Sequence, residues 1–324
     1  MAPKDVILGR NASIGIAAET TEGTAVSAAN VLRLASLTVD EQVTRVRVPD
    51  LDTGTYGVVK ARYVEQIVTN VSFEAFGYYE NGAVAAMIRM CIGGTWADTG
   101  AGPYTHTLAM GALKSWTLRT ARDTLSSTGA LTEGDIIAGF KVADYTWSIE
   151  TGGLFRIQVN GQAVSRTATT APAHSLPVHD DPIVSHDGAT WDWNSVSYVP
   201  RTLTVTGNNG LLGIRGFGSA QVSNHVRNDV RDIRVSVGRY KLDDSWLDAH
   251  VAGTESDGTI TFTSASSETL TMTAYNSIII DPVPAALTTV GVVEETAVFQ
   301  PRDDGTDPPF EVVLVNDDAT AEAS

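Results

Sequence analysis

The sequence contains one cysteine, Cys91. A lone thiol permits no internal disulfide and no multi-cysteine metal centre. It sits in the apolar stretch Ala83 to Ile92, where a small buried side chain is its simplest role. No apolar run approaches the ~20 residues that a membrane helix requires. The longest candidate is that same stretch, and it carries Arg89. Met1 to Gly9 holds no apolar signal-peptide core, which predicts a soluble protein made in the cytoplasm. Basic residues are scarce, with 22 Lys and Arg against 38 Asp and Glu and a net charge of −16. A protein that grips nucleic acid concentrates cations against phosphates. The densest basic stretch here, Arg227 to Arg239, is interrupted by Asp229 and Asp232. The acidic balance therefore disfavours nucleic-acid binding and keeps polyanions off the surface.

Catalytic patterns are missing too. There is no Gly-x-Ser-x-Gly elbow and no Gly-x-x-x-x-Gly-Lys-Ser/Thr loop. Gly210, Gly213, Gly216 and Gly218 lack the lysine of a phosphate loop and join no strand to a helix, so they read as loop glycines. His179, Asp180, Asp181, His186 and Asp187 are the one cluster of metal-ligating types, at no established motif spacing and in a Pro-containing stretch, so a solvated loop is expected. Asp303, Asp304, Asp307, Asp317 and Asp318 lack calcium-loop spacing. No catalytic residue, metal or cofactor is expected.

What is abundant is period-two alternation, the mark of half-buried strands. Val58 to Phe76 gathers Ala61, Tyr63, Ile67, Val71, Phe73 and Ala75 on one face and Lys60, Arg62, Gln66, Asn70, Ser72 and Glu74 on the other. It is either one unusually long strand or two strands broken by a bulge near Glu65. Ser36 to Val48 alternates likewise, and Pro49 to Gly57 is turn chemistry, so the pair reads as a long hairpin. A helix follows, with Asn81 as N-cap, the stripe Val84, Met87, Ile88 and Cys91, and Gly93-Gly94 as the stop. Strands are expected at Tyr104–Leu108, Ser115–Arg119, Ile136–Ile149 and Leu154–Val164.

A second series repeats that order. It comprises strands at Arg201–Thr206 and Asp232–Tyr240, a short helix at Asp243–Val251, and strands near Thr259–Thr263, Thr269–Ala274, Val290–Gln300 and Phe310–Val315. No residue identity between the halves stands out. The expected class is mainly β with short helices. The expected division is an N-terminal arm without clear periodicity (1–30), a first domain (31–166), a linker or long loop (167–190), a second domain (191–316) and a C-terminal tail (317–324).

Several segments, taken in order, resemble the tail tube proteins of long-tailed, non-contractile bacteriophages. Ile14 to Val26 is similar to that family's opening segment, in which a Glu-Thr pair precedes Gly-Thr, although Glu22 stands where an aromatic residue is common. Gly139 to Asn160 is similar to its late hairpin, Trp191 to Asn209 to the start of a second tube half, and Phe299 to Asn316 to its closing strands. The resemblance implies a barrel or sandwich that completes a shared barrel on oligomerisation, rings that stack into a hollow virion tail tube, and a bore that first houses a tape-measure protein and then conducts the genome without specific binding. A tail terminator would be a further partner, and no membrane would be involved. Two tube-like halves favour trimeric rings with pseudo-sixfold symmetry; a single-half member would form hexamers. Asp40, Gln42, Gln66, Asn70, Glu74, Thr202, Thr204 and Ser236 are then the lumen-facing candidates. Asp50, Leu51, Asp52, Tyr56, Leu211, Leu212 and Phe217 are the candidates for contacts between rings. Three other readings fit the composition: a capsid decoration protein, a carbohydrate-binding module with Trp191, Trp193 and Tyr198 as an exposed platform, and a β-rich hydrolase using scattered carboxylates.

Overall fold

The computed structural model describes residues 7–28, 30–49, 59–79, 82–124, 131–170, 182–184, 189–215, 219–283 and 293–322. The first half runs β1 (Ile7–Ala18), β2 (Asn30–Pro49), β3 (Val59–Phe76), α1 (Ala83–Ile92), β4 (Ala97–Thr99), β5 (Tyr104–Ala109), β6 (Trp116–Thr124), β7 (Leu131–Glu150), β8 (Arg156–Ala163) and β9 (Ser165–Thr169). The second runs β10 (Trp191–Trp193), β11 (Val196–Tyr198), β12 (Thr202–Asn208), β13 (Leu211–Ile214), β14 (Asn224–Arg227), β15 (Asp232–Tyr240), α2 (Ser245–Ala252), β16 (Ser256–Thr263), β17 (Thr269–Val283), β18 (Glu294–Gln300) and β19 (Phe310–Asn316). The protein is mainly β with two short helices, as the alternation predicted.

The backbone of the fold is one antiparallel sheet in the order β2-β3-β8-β7-β12-β15-β18-β17. Directly paired residues share a face, so the register traces whole rows across it. Ala75, Ile157, Trp147, Val205, Val235 and Phe299 form one row of the apolar face, and all are buried. β7 and β17 are long because each serves two sheets. Gly134–Ala138 lies between β6 and β9, while Asp144–Glu150 runs along β12 and the same stretch as far as Ser148 pairs with β8. Thr269–Ala274 lies between β16 and β19, while Ile278–Val283 pairs with β18. One apolar cluster unites both halves and takes in the whole of α1 except Arg89.

The two halves share a topology. Each has a hairpin (β2–β3, β12–β15), a helix (α1, α2) and a later pair (β7–β8, β17–β18), arranged in the sheet as first, second, fourth, third. Registers align them residue by residue: Leu37 opposes Phe73, which opposes Val159, and Leu203 opposes Val237, which opposes Ala297. On that alignment Ser36-Leu37-Thr38-Val39 overlies Thr202-Leu203-Thr204-Val205. The identity is hidden in the sequence because the segments lie far apart and only the pairing shows which positions correspond.

Several local expectations change. Within residues 1–30, an arm by its lack of clear periodicity, β1 pairs with β6 and with the start of β2. Ser13, Ile14, Gly15 and Ile16 are all buried, and a strand buried on both faces shows no alternation. The 317–324 tail is also docked in part, with Ala321 buried and Glu322 2.6 Å from Arg89. β3 is a single strand with a bulge at Glu65, where the register passes from Thr44–Gln66 to Arg45–Val64. The helix is capped by Gly82 in the left-handed region with no side-chain bond. Asn81 lies outside the described residues, as do Pro49's following turn (50–58) and the His179–Asp187 cluster.

Candidate functional site

The face of the eight-stranded sheet opposite the core is mostly polar, with Val68, Phe76 and Val298 among its apolar members. One row reads Ser72, Asn160, Asp144, Asn208, Asp232, and the next reads Glu74, Gln158, Thr146, Thr206, Arg234. A third reads Arg156, Ser148, Thr204, Ser236. Asp40 opposes Asn70, Gln42 opposes Val68, and Thr44 opposes Gln66. All eight lumen-facing candidates, Asp40, Gln42, Gln66, Asn70, Glu74, Thr202, Thr204 and Ser236, therefore lie on one face of one sheet, although they come from both halves of the chain. Period-two patterning could place each on a polar face; only the β7–β12 joint makes it the same face.

The charges there are arranged to leave an acidic surplus. Arg156 reaches Glu74 at 3.1 Å and Arg234 reaches Asp232 at 2.8 Å. Asp144 accepts from the Asn160 amide at 2.6 Å, and Asp40 from Gln42 at 3.0 Å. Arg231 and Arg239 of the 227–239 stretch are spent inside the fold, while Arg227 on β14 is exposed. Arg231 donates to Asn209 Oδ1 at 2.9 Å and to the carbonyls of Gly111 and Ile92 at 2.5 and 2.7 Å. Arg239, 2% exposed, lies 3.9 Å from the Trp246 ring centroid and 4.4 Å from that of Tyr198, and bonds Glu295 at 2.6 Å. Neither Arg231 nor Arg239 presents its charge on the polar face.

The opening segment acts as a clasp. Glu19 Oε1 accepts from Thr117 Oγ1 and from the Gly139 N–H, both at 2.8 Å, and its Oε2 accepts from the Gly23 N–H at 2.9 Å. Glu22 reaches into the second half. Its Oε2 is 2.6 Å from Lys141 Nζ, and its Oε1 is 2.9 Å from both the backbone nitrogen and Nδ1 of His225 on β14. The departure from an aromatic at position 22 is thus matched by two polar partners. Burial pulls the His225 pKa below its ordinary 6.5, with Glu22 opposing. The unfolded chain therefore takes up a proton that the folded one resists, so this contribution to stability is complete above about pH 6.5 and shrinks as pH falls. The melting temperature is expected to drop between about pH 7.5 and 5.5, and to drop less in His225→Asn, as followed by circular dichroism.

Other expectations are settled by burial. Trp191, Trp193 and Tyr198 are 1%, 2% and 6% exposed. They pack with Phe299 and Trp246, so they form no sugar platform; Trp-Asp-Trp is alternation around a core, which aromatic content alone does not distinguish from a stacking surface. Cys91 is buried, and burial raises its thiol pKa to about 12, which keeps it unreactive at neutral pH. Leu211 and Leu212 lie on the β13–β14 hairpin, with Leu212 exposed. Asp50, Leu51, Asp52, Tyr56 and Phe217 lie outside the described residues.

Comparison with curated proteins finds no match. The family model described as "Phage tail tube protein" matches residues 9–307, from within β1 to just short of β19 and so across both halves of the sheet. The chain belongs to the phage tail tube protein family.

Proposed function

We propose that three copies of this chain close into a ring, that rings stack into the tail tube, and that the polar face of the eight-stranded sheet lines the bore. The observation that carries the reading is that one chain holds two topologically equivalent four-strand units joined in a single sheet. Each unit would supply one sixth of a closed wall, which favours a trimer with pseudo-sixfold symmetry over a hexamer. The 31–166 and 191–316 segments are then two tube domains in tandem, with 167–190 passing between them. Closure removes the open sheet edges that otherwise template aggregation.

A conduit must let its cargo slide. An acidic, hydroxyl- and amide-rich face whose arginines Arg156 and Arg234 are paired to Glu74 and Asp232 offers phosphates little counter-charge, so the genome passes without specific binding, and a tape-measure protein occupies the bore before it. The protein acts in the virion tail after synthesis in the host cytoplasm, meets a tail terminator at one end, and performs no catalysis. The β13–β14 hairpin with Leu211 and Leu212, together with Asp50, Leu51, Asp52, Tyr56 and Phe217, supplies contacts between rings.

Electron microscopy of the concentrated protein, with the mass of single rings measured in parallel, tests this. Hollow tubes or rings of three chains with sixfold-like projections are expected. Rings of six chains would overturn the trimer. A chain that stays monomeric even when offered a preformed tail-initiation complex, or that instead coats capsids, would overturn the tube in favour of decoration.

A further inference from the structure

We infer that the ring is closed by the same joint that already exists inside the chain: β17 of one copy pairs antiparallel with β2 of the next in the register of β7 with β12, and α2 of the first copy docks on the β2–β3 hairpin of the second. This rests on the ring reading above and adds its register and its contact residues.

The inner joint supplies the template. β7 occupies the third position of the first unit and β12 the first position of the second; they pair from Asp144–Asn208 to Glu150–Thr202. β17 is the equivalent of β7, and both carry a bulge at the same place, before Asp144 and before Asp281. β2 is the equivalent of β12. Among the described residues, Ile278–Val283 pairs only with β18, and β2 from Leu34 onward pairs only with β3. These are the two open edges of the eight-stranded sheet. Transferring the register sets Asp281 opposite Gln42 and Val283 opposite Asp40, with the Asp281 carboxylate beside an amide that can donate to it.

Burial reports the missing neighbour. Leu203 and Val205, beside β7, are 2% and 1% exposed. Their equivalents Leu37 and Val39 are only partly buried. The helices differ in the same way. The end of α1 is covered by Asn209, whose Nδ2 donates to the Cys91 carbonyl at 3.0 Å, and by Arg231. The equivalent end of α2 is bare, with Val251 79% exposed and Leu247, one turn earlier on the same side, 49% exposed. The positions equivalent to Asn209 and Arg231 are Val43 and Ile67, an opposed pair on the core side of the β2–β3 hairpin. An apolar pair in the next copy thus meets an apolar helix end, where the inner joint uses polar groups to cap a helix already buried.

The test is disulfide trapping in the full-length protein, whose native thiol Cys91 is buried. The double variant Gln42→Cys/Asp281→Cys places the thiols on opposed residues, ~4.5–5.5 Å apart at Cα, within reach of a disulfide. Assembled rings oxidised in this state are expected to run as covalent trimers on denaturing gels. Thr38→Cys/Asp281→Cys is displaced by four residues, ~13 Å, and is expected to give about tenfold less. In parallel, Val251→Asp is expected to leave the melting curve of the single chain unchanged and to abolish rings. Wild-type rings without covalent product from the first pair, equal product from both pairs, or normal rings from Val251→Asp would each overturn the joint while leaving the ring reading standing. Absence of rings in the wild type even with a preformed tail-initiation complex would remove both.

Discussion

Glu19→Leu is expected to cost about 3–5 kcal/mol of unfolding free energy, because it removes a charged acceptor and leaves its donors stranded. Glu19 is 7% exposed. It ties the end of β1 to β6 through Thr117, to β7 through the Gly139 N–H, and closes its own turn on the Gly23 N–H. Leucine has nearly the same reach and no acceptor, so two backbone N–H groups and a hydroxyl lose their partner in a site that water enters with difficulty. Glu19→Gln separates charge from bonding. Its carbonyl can take the place of Oε1 and keep two of three donors, so a loss of about 1–2 kcal/mol is expected. Urea titration of the unassembled chain measures both. With total stabilities of about 5–15 kcal/mol in domains generally, the leucine variant is also expected to yield mostly insoluble protein. Two variants within about 0.5 kcal/mol of wild type would mean that Glu19 is a surface residue in solution.

Glu19 also shows how far the sequence could be read. Its Glu-Thr context is legible as a pattern, but nothing in the string says that Gly139, 120 positions later, donates to it. Strands with one wet face were legible: Asp232–Tyr240 forms β15 with the predicted bounds, and Val58 to Phe76 becomes β3 with its bulge at Glu65. β1 was not legible, since both its faces are covered and small residues stand where alternation would show. Trp191-Asp-Trp193 could be read as alternation or as a platform, and only packing against Phe299 decides. For the site, the polarity of each candidate was legible and their coplanarity was not. Thr204 and Glu74 come onto one face through β8 and β7, in a pairing order set by the tertiary fold rather than by any local preference.

That coplanar face is where a change of charge should matter most. Replacing Asp40, Asn70, Thr204 and Ser236 together with arginine puts four new cations per chain on it while leaving every core row untouched. Wild-type tubes are expected to ignore duplex DNA. The arginine tubes are expected to hold it, with affinity falling by ~10³–10⁵ between about 50 and 200 mM salt once six to ten phosphates are engaged. Virions carrying them should eject their genomes far more slowly. The salt dependence alone does not say where the DNA lies, so the comparison needs a second set. Thr259, Thr261, Thr271 and Thr273 sit on the half-exposed side of β16 and β17, where these strands pair away from the eight-stranded sheet. Arginines there should also attract DNA to isolated tubes, yet leave ejection at the wild-type rate, because that side faces outward if the eight-stranded sheet is the wall. Slow ejection from the second set and not the first would place the bore on the opposite side of the molecule. Slow ejection from the first set alone ties the acidic surplus of Asp40, Asp144, Glu150 and Asp281 to its role, since a wall whose carboxylates outnumber its cations repels a polyanion and lets it move through without being bound.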